Sequence, residues 1–595
     1  MSLTDPLDPV TAEILRANLV AITDEMKSNL RRTAYNQIIY EAQDFTVGLF
    51  DRDGDTVSVG LGLPMFVGGL SRAVKAKIAH YGHDGIEPGD ILLTNDPDIM
   101  GSHLNHMIFT LPVFADGEIV AFASSMAHWM DVGGVLGGTT TDIWSEGLQV
   151  PMVKIYRRGV LNEEMLDLIA ANVRFPELAM GDLRAQIAAI RTGERRVGAL
   201  VERYGTRTLT QGFHDLYARG EALARKAVEQ IPDGTYTAAT TMDDDGVNLG
   251  VPVPIEVSVT VEGSDLTIDL SGVAPQVTGY FNSGMTAGIS AAQVAFKFLT
   301  TPDAYPVNEG ALRPVRVVLP PGRVVSATKP AAMRWWMTYP MTIIDCVFRA
   351  LAQAVPEGTI AGHHADIGVM NLIGTDPASG RFFVFNGAAQ GGGWGARAHK
   401  DGEDATICVN DGDTHNTPVE VTEAKYPSLL VERYALRADS GGPGQRRGGL
   451  GTVYDVRTEG PARLNTFVER THSAPWGIAG GAAALPNRVS LITPDDELVS
   501  FPNGKIDSRP LAAGERVVIE TGGGGGFGDP RTRPVARVLA DVRAGYVSVA
   551  EARAAYGVAL VAEPLAGAGE ALFVRSDAET PWHLDEAETE RLRGA

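Results

Sequence analysis

Residues able to bind a cation or move a proton concentrate between Thr94 and Gly134. There Gly101-Ser102-His103-Leu104-Asn105-His106 is followed, one strand hairpin later, by Ala127-His128-Trp129-Met130-Asp131-Val132-Gly133-Gly134, so three of the chain's 12 histidines and an aspartate fall within about thirty residues. Each stands beside glycine or at a strand end. A turn can aim His103 and His106 at one point, and the returning strand can set His128 beside them. Three imidazoles with a carboxylate form a donor set that suits Zn2+, Mn2+ or Fe2+ and leaves a position open for water. An ion so held polarises a carbonyl or acyl-phosphate oxygen, or brings the pKa of bound water down to roughly 7. The plainer alternative is three separate histidines in ordinary hydrogen bonds, because His-x-x-His outside a helix is a weak signature. Asp44 is the further candidate ligand. It opens the alternating run Asp44–Asp51, whose other end, Asp51, faces the opposite side of a strand. Against it stands an acid merely solvated at a strand end.

The elements that must position these groups follow from periodicity. Asp8-Pro9 provides an N-cap and a first-turn proline, and Val10, Ile14, Leu15, Leu19, Ile22, Met26 and Leu30 then recur at helical spacing. Asp44–Asp51 and Val57–Val59, joined at Arg52-Asp53-Gly54-Asp55, predict strands. So do Asp90–Leu93, Ile108–Phe114 and Ile119–Ala123, the last two joined at Asp116-Gly117. From Asn162 to Gln230 the stripe Leu183, Ile187, Ile190, Val197, Leu200 and Val201 predicts helix, and Ile255–Val261 alternates as a half-buried strand. Glycine clusters at 391–393, 441–451 and 477–481 mark a loop-rich stretch. Gly522–Gly526 reads as a flexible or tightly turned loop, followed by helices at Val535–Gly545 and Val549–Tyr556 and a loosely ordered acidic end beyond 560. The expected class is α+β, multi-domain, with several mixed β-sheets and flanking helices. The expected segments are 1–160 (N-terminal helix plus β-rich domain carrying the metal site), 161–230 (helical), 231–330 (β-rich), 331–520 (loop-rich mixed α/β) and 521–595 (Gly-rich loop and helical tail).

The 595 residues, 44% hydrophobic and 21% charged, have the balance of a soluble globular protein with several cores. A net charge of −22 opposes nucleic acid and anionic membrane surfaces. No run approaches about 18 apolar residues, so no membrane span is predicted, and Met1–Pro6 lacks the basic and apolar regions of a signal peptide. Cys346 and Cys408 are the only cysteines, which excludes a disulfide framework and points to a cytoplasmic protein. Other chemistries find no support. A phosphate loop of the Gly-x-x-x-x-Gly-Lys-Ser/Thr type is missing, and Gly523, Gly525 and Gly528 match Gly-x-Gly-x-x-Gly only because glycines run together ahead of Asp529-Pro530. Cys346 lies in an apolar run and reads as a buried structural thiol, and Ser71 lacks the second glycine of a nucleophile elbow. Trp335, Trp336, Tyr339 and Trp394 either line an apolar pocket or fill a core.

The stretch from Gly101 to Pro151, with His103-Leu104-Asn105, His128–Gly134 and Glu146–Pro151, strongly resembles the hydantoinase B/oxoprolinase family. So do Asp44-Phe45 with Leu49-Phe50-Asp51, Asp182–Gln186 with Thr192–Arg196, Gly391–Arg397, Asn416–Glu420, Glu432–Tyr434, Asp439–Gly444, Gly522–Pro530 and Gly545–Ser548, in the same order from about residue 8 to 560. The resemblance implies a hetero-oligomer with a hydantoinase A-type subunit that uses ATP to phosphorylate an amide, lactam or enolate oxygen. This chain would then hydrolyse the activated cyclic amide (hydantoin, lactam or 5-oxoproline) at a divalent metal, Zn2+, Mn2+ or Fe2+. Two other readings stay open. One is a subunit of a ketone carboxylase of the acetone or acetophenone type, and the other is a non-catalytic assembly subunit whose metal site has decayed. The family's ligands are a His-x-x-Asp pair and a later histidine. His103 and His128 match, whereas His106 stands where the family has Asp, which leaves a three-histidine site and tilts it toward Zn2+ over Mn2+. Asp131 or Asp44 would orient a ligand histidine or serve as general base.

Overall fold

The computed structural model describes residues 7–300, 305–387, 391–407, 418–562 and 581–594. Cys408, Asn416 and Thr417 lie outside them. Packing divides the chain into two compact units, one up to Ala350 and one from Leu351 onward.

The first unit opens with helix α1 (Pro9–Thr33), whose N-cap Asp8 accepts from the amides of Val10 and Thr11. Its buried stripe is Leu15, Leu19, Ile22, Met26 and Leu30, while Val10 and Ile14, apolar in the pattern, are exposed. Strands β1 (Phe45–Asp51), β2 (Thr56–Leu61), β3 (Ile91–Thr94), β4 (His106–Ala115), β5 (Glu118–His128), β6 (Val153–Arg157) and β7 (Val160–Leu161) form one antiparallel sheet in the order β2-β1-β5-β4-β3-β6-β7. The β4–β5 hairpin turns at Asp116 and Gly117, both at positive φ (52° and 82°) as the tight primed turn requires. Helices α2 (Pro176–Tyr204) and α3 (Thr206–Val228) follow. α2 packs on α1 and lies across β4 and β5. The three elements approach closely at Gly193, where a Cβ would stand 2.8 Å from Met26 Sδ and 2.9 Å from Ala123 Cβ. A second sheet, in the order β11-β10-β9-β8, joins β8 (Gly234–Met242), β9 (Val253–Glu262), β10 (Asp265–Asp269) and β11 (Val315–Val318). β9 alternates as predicted, with Val253, Ile255, Val257, Val259 and Val261 buried, and β10 pairs with β11 in parallel. Among the described residues no helix is long and apolar enough to cross a membrane.

The α+β class holds, and residues 331–520 contain more regular structure than their pattern announces. The apolar run around Cys346 is helix α4 (Thr338–Leu351), with Cys346 buried in it. Among the described residues nine strands follow between Met370 and Glu520, arranged in a four-stranded and a five-stranded antiparallel sheet around a shared apolar core that includes Leu372, Val456, Leu464, Leu491 and Ile519. The chain beyond 560 is ordered where described: Leu560–Ala562 pairs with Trp582–Leu584, and a helix spans Glu586–Gly594.

The run Gly522–Gly526 is buried and fixed by packing. Its amides donate in turn to carbonyls of Asn487 (side chain), Leu485, Gly449, Gly362 and Ala482, so three other segments of the second unit close on it. The approach is backbone on backbone. A Cβ on Gly524 would lie 1.8 Å from the carbonyl oxygen of Trp394, and one on Gly448 would lie 1.7 Å from that of Gly524. Glycine is required here because no side chain fits. By contrast, Gly198 inside α2 has open space around its Cβ position. Gly524→Ala should lower the melting temperature by several degrees or prevent soluble expression, as overpacking costs about 1–3 kcal/mol or more. Gly198→Ala should raise it, by up to about 1 kcal/mol of helix propensity. Calorimetric unfolding of the two variants beside the parent protein checks both signs.

Candidate metal centre

The cluster is assembled by strand register. His106 begins β4, His128 ends β5, and the two are directly paired across the hairpin. β1 lies on the other side of β5, with Phe45 opposite Ala127. The His128 amide donates to the Asp44 carbonyl at 3.0 Å, which draws Asp44 in beside the histidines. His103 comes from the loop ahead of β4. That loop follows a short turn of helix (Pro97–Met100) ended by Gly101 in the left-handed region (φ 74°), where a Cβ would meet Ala287 N at 2.6 Å. Asn95 Nδ2 donates to the Leu104 carbonyl at 2.8 Å, and Asn105 Nδ2 to that of Trp129 at 2.8 Å, so the loop is held at both ends.

The side chains converge. His106 Nε2 lies 3.1 Å from Asp44 Oδ1 and 3.3 Å from His103 Nε2. Ligand atoms of Asp44, His103 and His128 all lie within 4.8 Å of one another. His106 touches two members of this triad. His103 Nδ1 is 3.0 Å from the Arg334 carbonyl, which can only accept, so this nitrogen carries the proton and Nε2 presents a lone pair to the cluster. His106 Nδ1 pairs with Ser102 Oγ at 2.7 Å. The buried His128 Nδ1 has no hydrogen-bond partner. Burial, and then the neighbouring imidazoles His106 and His128, push His103 well below the usual histidine range, and burial takes His128 down to about 4. Burial works to raise the Asp44 carboxyl, but the His106 and His128 imidazoles outweigh it and the net displacement is downward. Burial thus favours neutral imidazoles at His103 and His128 beside an anionic Asp44, the protonation states in which these groups bind a cation. Phe66 meets His106 edge-on at 5.2 Å, and Trp336 stands 5.8 Å from His106 and 6.3 Å from His103, forming an apolar wall.

Helix α2 braces the arrangement. Asp182 accepts from the Tyr35 amide and from Asn36 Nδ2 at 2.6 Å, and Asn36 Nδ2 also reaches the His128 carbonyl at 3.1 Å. Gln186 accepts from Trp129 Nε1 and donates to the Met107 carbonyl, both at 2.9 Å. These braces belong to the Asp182–Gln186 motif, whose chemical part in the site was not evident from the sequence.

Beside His103 lies a small cavity of about 50 Å3, lined also by Asn105, Asp131, Glu146 and Arg334. Asp131 is engaged elsewhere. Its Oδ1 takes Arg174 Nη1 at 2.6 Å and the Gly133 amide, and its Oδ2 takes the Arg174 amide, so it pairs with an arginine rather than an imidazole. Asp51, at the far end of β1, accepts from Tyr217 and from the amides of Asp53 and Asp55. Trp394 belongs to the second unit, where its indole donates to the Ile407 carbonyl, and Tyr339 is buried in α4. Glu146, unassigned by the sequence reading, is 7% exposed. Its Oε1 accepts from Thr140 Oγ1 and from the amides of Met333 and Arg334, while Oε2 has no partner. Burial pushes its carboxyl up to about 7 against those three hydrogen bonds.

The family model for hydantoinase B/oxoprolinase matches residues 8–530. The chain belongs to that family. It is 31% identical over 574 residues to the B-type subunit of a putative D-/L-hydantoinase from Pseudomonas sp. (strain NS671), covering 93% of this chain and 95% of that one. The crystal structure of ATP-dependent caprolactamase from Pseudomonas jessenii superposes with a TM-score of 0.89 at 31% identity, covering 99% of this chain and 100% of that chain. A nucleotide-free acetone carboxylase structure matches with a TM-score of 0.86 at 19% identity, over 99% of this chain and 82% of that one, a likeness of fold. Among hydantoinase B proteins the chain thus shares its whole architecture with a caprolactamase.

A carboxyl whose folded pKa lies above its ordinary value of 4.5 binds a proton that the unfolded chain has already lost, so between pH 4.5 and about 7 it lowers stability as pH rises. Glu146→Gln removes that penalty. The variant should match the parent below pH 4.5 and exceed it progressively up to pH 8, by up to about 3 kcal/mol. Denaturant unfolding of the two proteins across this range measures the difference.

Proposed function

We propose that this chain is the B-type subunit of an ATP-dependent amidohydrolase, hydrolysing a cyclic amide that a hydantoinase A-type ATP-using subunit has phosphorylated. The observation that carries the reading is the convergence of Asp44, His103 and His128 with ligand atoms within 4.8 Å, completed by an orphaned imidazole nitrogen on His128. That donor set fits a divalent ion, Zn2+, Mn2+ or Fe2+. Asp44, His103 and His128 would hold it, with His106 as a fourth donor where the family pattern has aspartate. The names of the relatives add a hydantoin and a caprolactam, both cyclic amides, and ATP dependence.

The chemistry follows from the amide. Resonance protects its carbon, and its nitrogen is a poor leaving group. Phosphorylating the oxygen removes the resonance and opens the carbon to water. When bound, the ion supplies Lewis acidity and lowers the pKa of water to roughly 7. The chain's own residues do the rest. The Arg334 carbonyl fixes the His103 tautomer, so its Nε2 lone pair faces inward without rearrangement. Phe66 and Trp336 exclude bulk water from one side, which strengthens every charge interaction inside. Asp44 is the anionic ligand. Asp131, locked to Arg174, shapes the cavity wall. The intact cluster is the reason for preferring this reading to a decayed assembly subunit.

The protein co-purified with its native ATP-using partner should contain about one divalent ion per chain by elemental analysis, Zn2+ foremost, and His103→Ala and His128→Ala should each lose it while remaining folded. The complex should release phosphate from ATP only with cyclic amides. Phosphate release driven instead by ketones with bicarbonate would replace this reading with a carboxylase, and a folded protein without metal would remove it.

A further inference from the structure

Accepting the cyclic-amide reading, the partition of the hydrated substrate poses a problem that the metal cluster alone does not solve. Water adding to the phosphorylated amide gives a tetrahedral carbon bearing a hydroxyl, the phosphoryl oxygen and the ring nitrogen. If the carbon–oxygen bond to phosphorus breaks, inorganic phosphate leaves, the lactam re-forms and ATP is wasted. If the carbon–nitrogen bond breaks, the ring opens to an amine and an acyl phosphate, which a second water converts to carboxylate and inorganic phosphate. An amide anion is a far poorer leaving group than phosphate, so the second route needs a proton on nitrogen as the bond breaks.

We infer that Glu146 is the acid that delivers this proton, from Oε2 to the ring nitrogen of a substrate whose scissile amide reaches into the cavity beside His103. Glu146 lines that cavity and is buried. Three donors saturate its Oε1, which leaves the proton to Oε2, the oxygen without a partner. The other charged or titratable groups lining the cavity are Arg334, Asp131 and His103. Arg334 meets Glu146 through its backbone amide and sends Nη1 to the Gly137 carbonyl, while Asp131 is neutralised by Arg174. Burial outweighs these hydrogen bonds and the charge of nearby Arg334 and places the carboxyl's pKa at about 7, where an acid can both hold and release a proton near neutrality. The step balances. The Oε2 proton goes to nitrogen, the carbon–nitrogen electron pair stays with the departing amine, and the hydroxyl becomes the new carbonyl as its proton returns to the Glu146 carboxylate. This assigns a part to the Glu146–Pro151 motif that metal binding leaves unused.

The test is Glu146→Gln in the reconstituted complex, with ATP and a cyclic amide that the wild-type complex opens. Ring opening should fall by about 100-fold, while phosphate continues to be released, so phosphate formed per ring opened rises well above the wild-type ratio. Metal content should be unchanged, and Glu146→Asp should recover part of the coupling. A structural role would lower both rates together at a constant ratio, and that result, or undiminished ring opening, would overturn the inference. Infrared difference spectra of wild type minus Glu146→Gln at pH 6, without substrate, should contain the carbonyl stretch of a protonated carboxyl, and its absence would also refute the assignment. A wild-type complex that opens no cyclic amide sinks the underlying reading and this inference together. A competent wild type with a coupled Gln variant sinks the inference alone.

Discussion

The antiparallel register of β4 against β5 is the constraint on which the first unit's chemistry depends. It places His106 opposite His128, and the adjoining β1 adds Asp44 through the His128 amide. Side chains alternate across a strand, so a slip of one residue would send these groups to the opposite face and separate them. The register is pinned from several directions: by the tight turn at Asp116-Gly117, by the buried apolar residues along both strands, and by the polar contacts of α2 with Trp129 and Met107. A site at the end of such a hairpin inherits the rigidity of the sheet while remaining next to loops that can admit a ligand.

Placing so many polar groups out of water is costly unless each finds a partner. Gln186, Asn36 and Asn95 donate to backbone carbonyls of Met107, His128 and Leu104 at the histidines, and Asp182 holds Asn36 in place. At the site itself, atoms of His128 and Glu146 stay unsatisfied. A fold that partners the polar groups bracing a cluster but leaves others unmet beside it has the character of a binding centre, where a ligand makes up the deficit.

What could be read from the sequence follows physical locality. α1, the β4–β5 hairpin, α2 and β9 carry their patterns within about twenty neighbouring residues, and the folded elements overlap them. His103, His106 and His128 were visible because histidine is scarce and the hairpin between them is short. Glu146 and Gln186 were not singled out, since a lone acid in a loop or a glutamine within a helix takes its meaning from burial and from partners far along the chain. α4 hid in an apolar run that periodicity alone cannot divide between helix and strand. The strands after Met370 stood out less than the glycine clusters at 391–393, 441–451 and 477–481, which lie between them and gave the stretch the look of loop. The glycine run itself read as slack chain because the backbone surfaces packed against it come from segments scattered from Gly362 to Leu485.

That glycine layer has a consequence for biosynthesis. Carbonyls of Gly362, Gly449, Ala482 and Leu485 find their donors in Gly523–Gly526, which follow all of them in the chain. A nascent chain therefore carries those acceptors unpaired until the late glycines emerge from the ribosome, and the intervening stretch must wait in a partly built state. Closure then depends on ordering the most conformationally free residues of the chain in one concerted event. The second unit should accordingly complete itself after translation has passed the glycine run, and a product terminated ahead of Gly522 would lack the strip of backbone that holds its neighbours in register.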